Sequence, residues 1–72
     1  MTEVEKMSLL NEAFDVEDGD LTPDMRLDDI DEYDSMTKLA LIVMISEKFG
    51  KTLTGSDIKS FVTVQDILNV MN

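Results

Sequence analysis

The feature that most restricts how this chain can fold is a run of seven apolar residues, Leu39 to Ile45. The run lies within a longer apolar segment, Ser35 to Phe49, whose β-branched residues would also suit a buried strand. The fifteen-residue length of this segment, the start signal at Asp34 and Ser35, and the stop signal at Gly50 favour a helix. A run of seven is far short of the ~20 residues that span a bilayer, so we expect no membrane segment.

Apolar periodicity predicts further helices at both ends of the chain. Residues 2–14 form an amphipathic pattern behind a Thr2 cap. A short helix is predicted over residues 54–60 with Ser56 as its cap, and a last helix begins at the capping box of residues 63–66. On the central helix, the spacing predicts one broad apolar face formed by Met36, Leu39, Ile42, Val43 and Phe49, which Ala40, Met44 and Ile45 widen. The predicted fold is all-α, a bundle of three main helices plus one short helix.

A long acidic loop, residues 15–34, connects the first two predicted helices and is interrupted by Gly19 and Pro23. A structureless loop near twenty residues would be unusual in a compact domain. We expect this one to pack onto the bundle through four apolar side chains, those of Leu21, Met25, Leu27 and Ile30.

The distribution of charge narrows the choice of partners. The net charge is −10, and residues 1–34 hold thirteen acidic and two basic residues, which give that segment a net charge of −11. This balance argues against nucleic acid, because phosphate binding needs clustered Lys and Arg. The acidic half favours a basic protein partner through long-range attraction, although a purely solubilising surface would look the same.

Several chemistries are excluded by composition. The chain has no Cys and no His, which removes disulfides, thiolate and imidazole catalysis and the usual zinc sites. The acids around Gly19 do not follow calcium-loop spacing, because Phe14 would stand at the first ligand position. A chain of 72 residues also has little room for a deep cleft. We therefore expect no enzyme, no catalytic residues and no metal site.

Ser35 is the candidate functional residue, because it stands at the predicted start of the central helix directly after Asp34. Such a serine can be a cap, a nucleophile or an attachment point. Catalysis would need a base within hydrogen-bond reach, and there is no His to supply one. A Ser–Lys pair with Lys38, one turn on, is conceivable, but nothing in the sequence would bury and deprotonate that lysine. A helix N-terminus can hold a phosphate through its free backbone N–H groups. For an isolated Asp-Ser pair, capping is the ordinary interpretation.

The surrounding pattern resembles the acyl carrier protein family around its modified serine. Asp34-Ser35-Met36 is followed by an apolar helix that ends in Glu47-Lys48-Phe49-Gly50, and then by the Ser56-Asp57-Ile58 turn and Thr63-Val64-Gln65-Asp66-Ile67. The resemblance runs without a gap from residue 34 to residue 71. It implies an acyl-carrier-like bundle with a long loop between its first and second helices, in one carrier domain of residues 1–72.

The resemblance also implies a cofactor and partners. Ser35 would receive 4′-phosphopantetheine from coenzyme A through a phosphopantetheinyl transferase. The arm's thiol would carry an acyl or related group as a thioester to acyl-loading and acyl-transfer enzymes. Asp34 and Met36 would contact these enzymes, and the protein would be a cytoplasmic monomer.

Some positions depart from the fatty-acid-synthesis carriers within that family. The second helix, normally acidic, carries Lys38 and Lys48, and acids stand upstream of it, at Asp31 and Glu32 among others. We expect Asp31, Glu32 and Lys38 to take part in partner recognition. The pattern is typical of carriers in specialised pathways, so a role in fatty acid biosynthesis stays open. The alternative function is a small acidic helical adaptor without a prosthetic group.

Overall fold

Four helices and one short 3₁₀ turn make up the protein in a computed structural model that describes residues 2–71. The helices are α1 (Glu3–Phe14), α2 (Ser35–Phe49), α3 (Gly55–Ser60) and α4 (Val64–Val70), and the 3₁₀ turn is Leu27–Asp29. The described residues contain no β-strand, and the predicted all-α bundle is confirmed. Met1 and Asn72, the ends of the predicted domain, lie outside the described residues.

The two long helices begin and end where the sequence predicts, because both are capped by local hydrogen bonds. Thr2 caps α1, and its hydroxyl accepts a hydrogen bond from the Glu5 amide at 3.2 Å. Gly50 ends α2 with φ +67°, a left-handed conformation that favours glycine. Its amide donates to the Ser46 carbonyl at 3.1 Å, which satisfies one of the last carbonyls of the helix.

The two short helices are each closed at the N-terminus by an aspartate three residues after the cap. The predicted cap of α3, Ser56, is wrong: Thr54 caps the helix, and its amide donates to the Asp57 carboxylate at 2.9 Å. Ser56 lies inside the first turn of α3, two residues after the cap position. At α4 the predicted capping box is confirmed, and the Asp66 carboxylate accepts from the Val62 amide at 2.8 Å.

The long loop packs onto the helices as predicted, and apolar side chains hold it there. Leu21, Leu27 and Ile30 are buried in the core, and Met25 is half-buried. Backbone bonds also attach the loop to the α3–α4 connection, since the Leu27 amide donates to the Val62 carbonyl at 2.9 Å. The rest of the core comes from all four helices, the α2–α3 connection and the residue that follows α4: Leu10, Phe14, Leu41, Ile45, Leu53, Ile58, Val64, Ile67, Leu68 and Met71.

The predicted apolar face of α2 is wrong for three of its residues, whereas Ile45, which widens that face, is buried. The helix buries Thr37, Leu41 and Ile45, at a spacing of four residues. Three residues assigned to that face point to solvent instead: Met36 is 81% exposed, Leu39 62% and Val43 47%. Apolar residues stand on nearly every side of α2, so periodicity alone does not determine which side meets the core.

No helix among the described residues is long and apolar enough to cross a membrane.

Candidate functional site

The candidate site is built around the first turn of α2. Asp34 lies in extended conformation just before the helix, and its Oδ1 accepts a hydrogen bond from the Thr37 amide at 2.9 Å. This hydrogen bond lowers the pKa of Asp34 below its ordinary 3.8. The Thr37 hydroxyl donates to the Glu32 carbonyl at 2.6 Å. Together the two bonds fix the end of the acidic loop against the start of the helix.

Ser35 is the first residue of α2 and is exposed. The residue that caps α2 is Asp34, so Ser35 is not needed as a helix cap. Among the described residues, the structure gives the Ser35 hydroxyl no hydrogen-bond partner. This hydroxyl is therefore available for attachment of another group.

An aromatic stack lies beside the start of α2. The Tyr33 ring stacks on the buried Phe14 ring, with 5.5 Å between centroids and 13° between planes. The Lys38 Nζ lies 5.2 Å from the Tyr33 ring centroid, within the range of a cation–π contact. Burial raises the pKa of Tyr33 above 10.0, and the nearby Asp28 carboxylate adds to the rise. Tyr33 thus anchors the start of the helix to the core and also holds Lys38.

An apolar stripe, defined here as Met36, Leu39 and Val43, continues along the exposed side of α2 from Ser35. It borders a shallow groove of about 520 Å³ between α1 and α2, to which α1 contributes Leu9 and Ala13. The spacing predicts Met36 on the apolar face of α2, but its side chain does not belong to the core, because it is almost fully exposed. Three large apolar side chains open to water next to one serine form a surface suited to an apolar ligand or partner.

The predicted recognition residues all lie close to Ser35 along the chain. Asp34 and Met36 flank it directly, and Lys38 follows in the first turn, half-buried. Asp31 and Glu32 are exposed on the incoming loop. Sequence reasoning missed that Leu39 and Val43 belong to this surface. The sequence held one indication of this orientation, because Thr37, Leu41 and Ile45 stand four residues apart on the side of α2 that is buried. Thr37 is polar, so this side did not look like a core face.

The acids of the loop do not gather into a cluster with metal-ligand geometry among the described residues. Within residues 2–71, no three His, Cys, Asp or Glu side chains stand close enough to hold a metal ion. Of the loop acids around Gly19, Asp18 accepts a hydrogen bond from the Asn11 side-chain amide at 3.0 Å. In the structure, this carboxylate helps to hold the loop against α1.

The geometry fits a phosphate ester on Ser35. The positive end of the helix dipole favours a negative charge there, although the Thr37 amide already donates to Asp34. Ser35 is exposed, so a long substituent would meet no steric obstacle, and the apolar stripe begins at the next residue. The residues present are thus compatible with a covalently attached phosphopantetheine group.

A family model described as "phosphopantetheine attachment site" matches residues 7–71, which are 65 of the 72 residues. Neither the curated proteins nor the solved structures gave a match. Carriers of this family are not enzymes; they are modified by a phosphopantetheinyl transferase and interact with biosynthetic enzymes. The match supports the carrier interpretation over the adaptor alternative, which lacks a prosthetic group. The chain belongs to the phosphopantetheine attachment site family and is a carrier with covalently bound 4′-phosphopantetheine.

Proposed function

We propose that this carrier holds an acyl or related intermediate as a thioester on a phosphopantetheine arm attached to Ser35, and that it presents this intermediate to loading and transfer enzymes. The observation that carries the proposal is the exposed, unpartnered Ser35 hydroxyl at the start of α2, directly before the apolar stripe. The other serines lack this setting. Ser8 lies in mid-helix and Ser46 in the last turn of α2. Ser56 is the second residue of a helix of six residues, and the Ser60 hydroxyl donates to the Asp57 carbonyl.

The composition supports a division of labour between carrier and partners. The chain has neither Cys nor His, so the reactive sulfur arrives with the cofactor and the acid–base groups belong to partner enzymes. The cargo is proposed to be acyl because the stripe offers apolar surface beside the attachment point. On the resemblance to acyl carrier proteins, we also propose one carrier domain of residues 1–72 that works as a monomer in the cytoplasm.

Partner recognition is proposed to use both sides of Ser35. The exposed acids Asp31, Glu32 and Asp34 would attract a basic groove, and Met36 would fit an apolar pocket within it. Lys38 would weaken attraction to a uniformly basic surface, which favours partners other than those that read an acidic second helix.

Intact-mass measurement tests the attachment. The unmodified protein is incubated with a phosphopantetheinyl transferase and coenzyme A, alongside the Ser35→Ala and Ser56→Ala variants. Ser56 is a matched control because it is also exposed and lies in the first turn of a helix. We expect one phosphopantetheine mass on the wild type and on Ser56→Ala, and none on Ser35→Ala. Modification of Ser35→Ala would contradict the assignment.

The ability of the arm to carry an acyl thioester is tested with the same three proteins. Acyl-coenzyme A replaces coenzyme A, so the arm is transferred with its acyl group in place. Neutral hydroxylamine should then remove the acyl mass and leave the arm, as expected of a thioester. Failure of partner enzymes to accept any acylated form would contradict the carrier role in acyl transfer.

A further inference from the structure

The stability of α2 does not explain why a lysine occupies position 38. Lys38 is the fourth residue of α2, close to the positive end of the helix dipole, where a cation is disfavoured. The contact that the structure records for it among the described residues is with the Tyr33 ring, not with a carboxylate. Since Tyr33 is itself stacked on the buried Phe14, the Lys38 ammonium lies against a ring that is fixed to the core.

The spacing places Lys38 on the same side of the helix as Ser35. Residues three apart on a helix are neighbours, with about 5–6 Å between their Cβ atoms. Ser35 and Lys38 are the first and fourth residues of α2, so a flexible lysine side chain can reach a group attached to the serine. The first turn holds no other basic side chain.

A phosphodiester on Ser35 would add a negative charge where negative charge is already concentrated. Asp34 is the neighbouring residue, and Asp31 and Glu32 are exposed on the incoming loop. The Thr37 amide, which could otherwise face the phosphate, already donates to Asp34. The repulsion between the phosphodiester and these carboxylates is unfavourable, and a nearby cation would reduce it.

We propose that Lys38 is a positioning residue for the phosphodiester on Ser35. Its ammonium pairs with a phosphodiester oxygen, offsets the repulsion from the acidic loop and restrains the first bonds of the arm. The Tyr33 ring keeps the ammonium near the site before modification. This inference rests on the proposed attachment at Ser35.

The test compares wild type with Lys38→Gln, Lys38→Arg and Lys48→Gln, each before and after modification. Lys48→Gln is the matched control, because it removes an equal charge from the last turn of α2. Each variant is compared with its own unmodified form, so the stability lost with the Lys38–Tyr33 contact is the same in both measurements and cancels. The readouts are the folding equilibrium constant from urea denaturation at low salt and the ³¹P NMR signal of the phosphodiester.

We expect modification to lower the folding constant of Lys38→Gln by about two- to fivefold more than that of the wild type, as for an exposed ion pair. The ³¹P signal should move in Lys38→Gln and return in Lys38→Arg, and Lys48→Gln should match the wild type. Equal effects of modification in wild type and Lys38→Gln, with an unmoved ³¹P signal, would overturn the inference. Absence of any mass gain at Ser35 would instead overturn the proposed function, and the inference with it.

Discussion

Leu39 and Leu41 lie on opposite sides of α2, one exposed and one buried. Changing each of them to alanine tests which side of the helix faces the core. Leu41 is completely buried, and Leu39 is 62% exposed. A buried Leu→Ala change costs about 2–5 kcal/mol, because it removes burial and leaves a cavity. Leu39 loses only the burial of its remaining part, roughly 0.5–1 kcal/mol. The higher helix propensity of alanine offsets a few tenths of a kcal/mol in both.

Urea denaturation of the two variants and the wild type measures this difference as a shift in the free energy of unfolding. A domain of this size has a small total stability, so Leu41→Ala can lose its folded state altogether. Ile45→Val is the milder substitution on the same buried face, with an expected loss of about 0.5–1.5 kcal/mol. Equal losses for Leu39→Ala and Leu41→Ala, or a greater loss for Leu39→Ala, would show that the apolar stripe faces inward.

A pair of valines provides the functional counterpart of this test. Val43 lies on the stripe and is 47% exposed, and Val62, between α3 and α4, is 51% exposed. Changing either valine to alanine should cost similar, small amounts of stability. Only Val43→Ala should reduce acyl transfer by partner enzymes, measured as transfer rates with equal amounts of acylated carrier. A similar reduction from Val62→Ala would mean that the stripe has no special part in recognition.

Two further predictions concern charge. The amides of Val62 and Thr63 lower the pKa of Asp66 below 3.8, so its ionised form stabilises the fold above that pH and the effect is lost as pH falls through the lowered value. In thermal melts, wild type should therefore exceed Asp66→Asn at about pH 6 and lose this advantage below pH 3.8; a constant gap would contradict it. Replacing Asp28, Asp29 and Asp31 with Asn should slow acyl loading by partner enzymes and flatten its dependence on salt between about 0.01 and 0.1 M, because exposed acids attract a basic partner over a distance. Unchanged loading rates at both salt concentrations would exclude the loop from recognition.

The helix boundaries could be predicted because local side chains determine them. Asp34 and Gly50 set the ends of α2 through a hydrogen bond to the third residue and a left-handed backbone. The wrong prediction of the α3 cap also concerned neighbouring residues, since Thr54 and Asp57 form a capping box and Ser56 does not cap the helix. These features depend on three or four neighbouring residues, and a sequence displays them directly.

The orientation of α2 and the aromatic stack could not be predicted in the same way. The side of α2 that is buried depends on where α1, α4 and the loop lie, and the helix offers apolar residues to all of them. The Tyr33–Phe14 stack joins residues that are nineteen positions apart, so only the packing of the loop against α1 creates it. The placement of Lys38 follows from that stack and was equally hidden.

The surface before Ser35 is charged and the surface after it is apolar, so the two would act on different steps of partner recognition in the proposed carrier role. The loop before Ser35 is charged and exposed, and charges of this kind act on the rate of encounter and are screened by salt. The stripe after Ser35 is apolar, and apolar contact acts only at short range, on how long a complex lasts. A carrier must be found quickly and released after each transfer. Separate acidic and apolar surfaces allow the rate of encounter and the lifetime of the complex to vary independently around one attachment point.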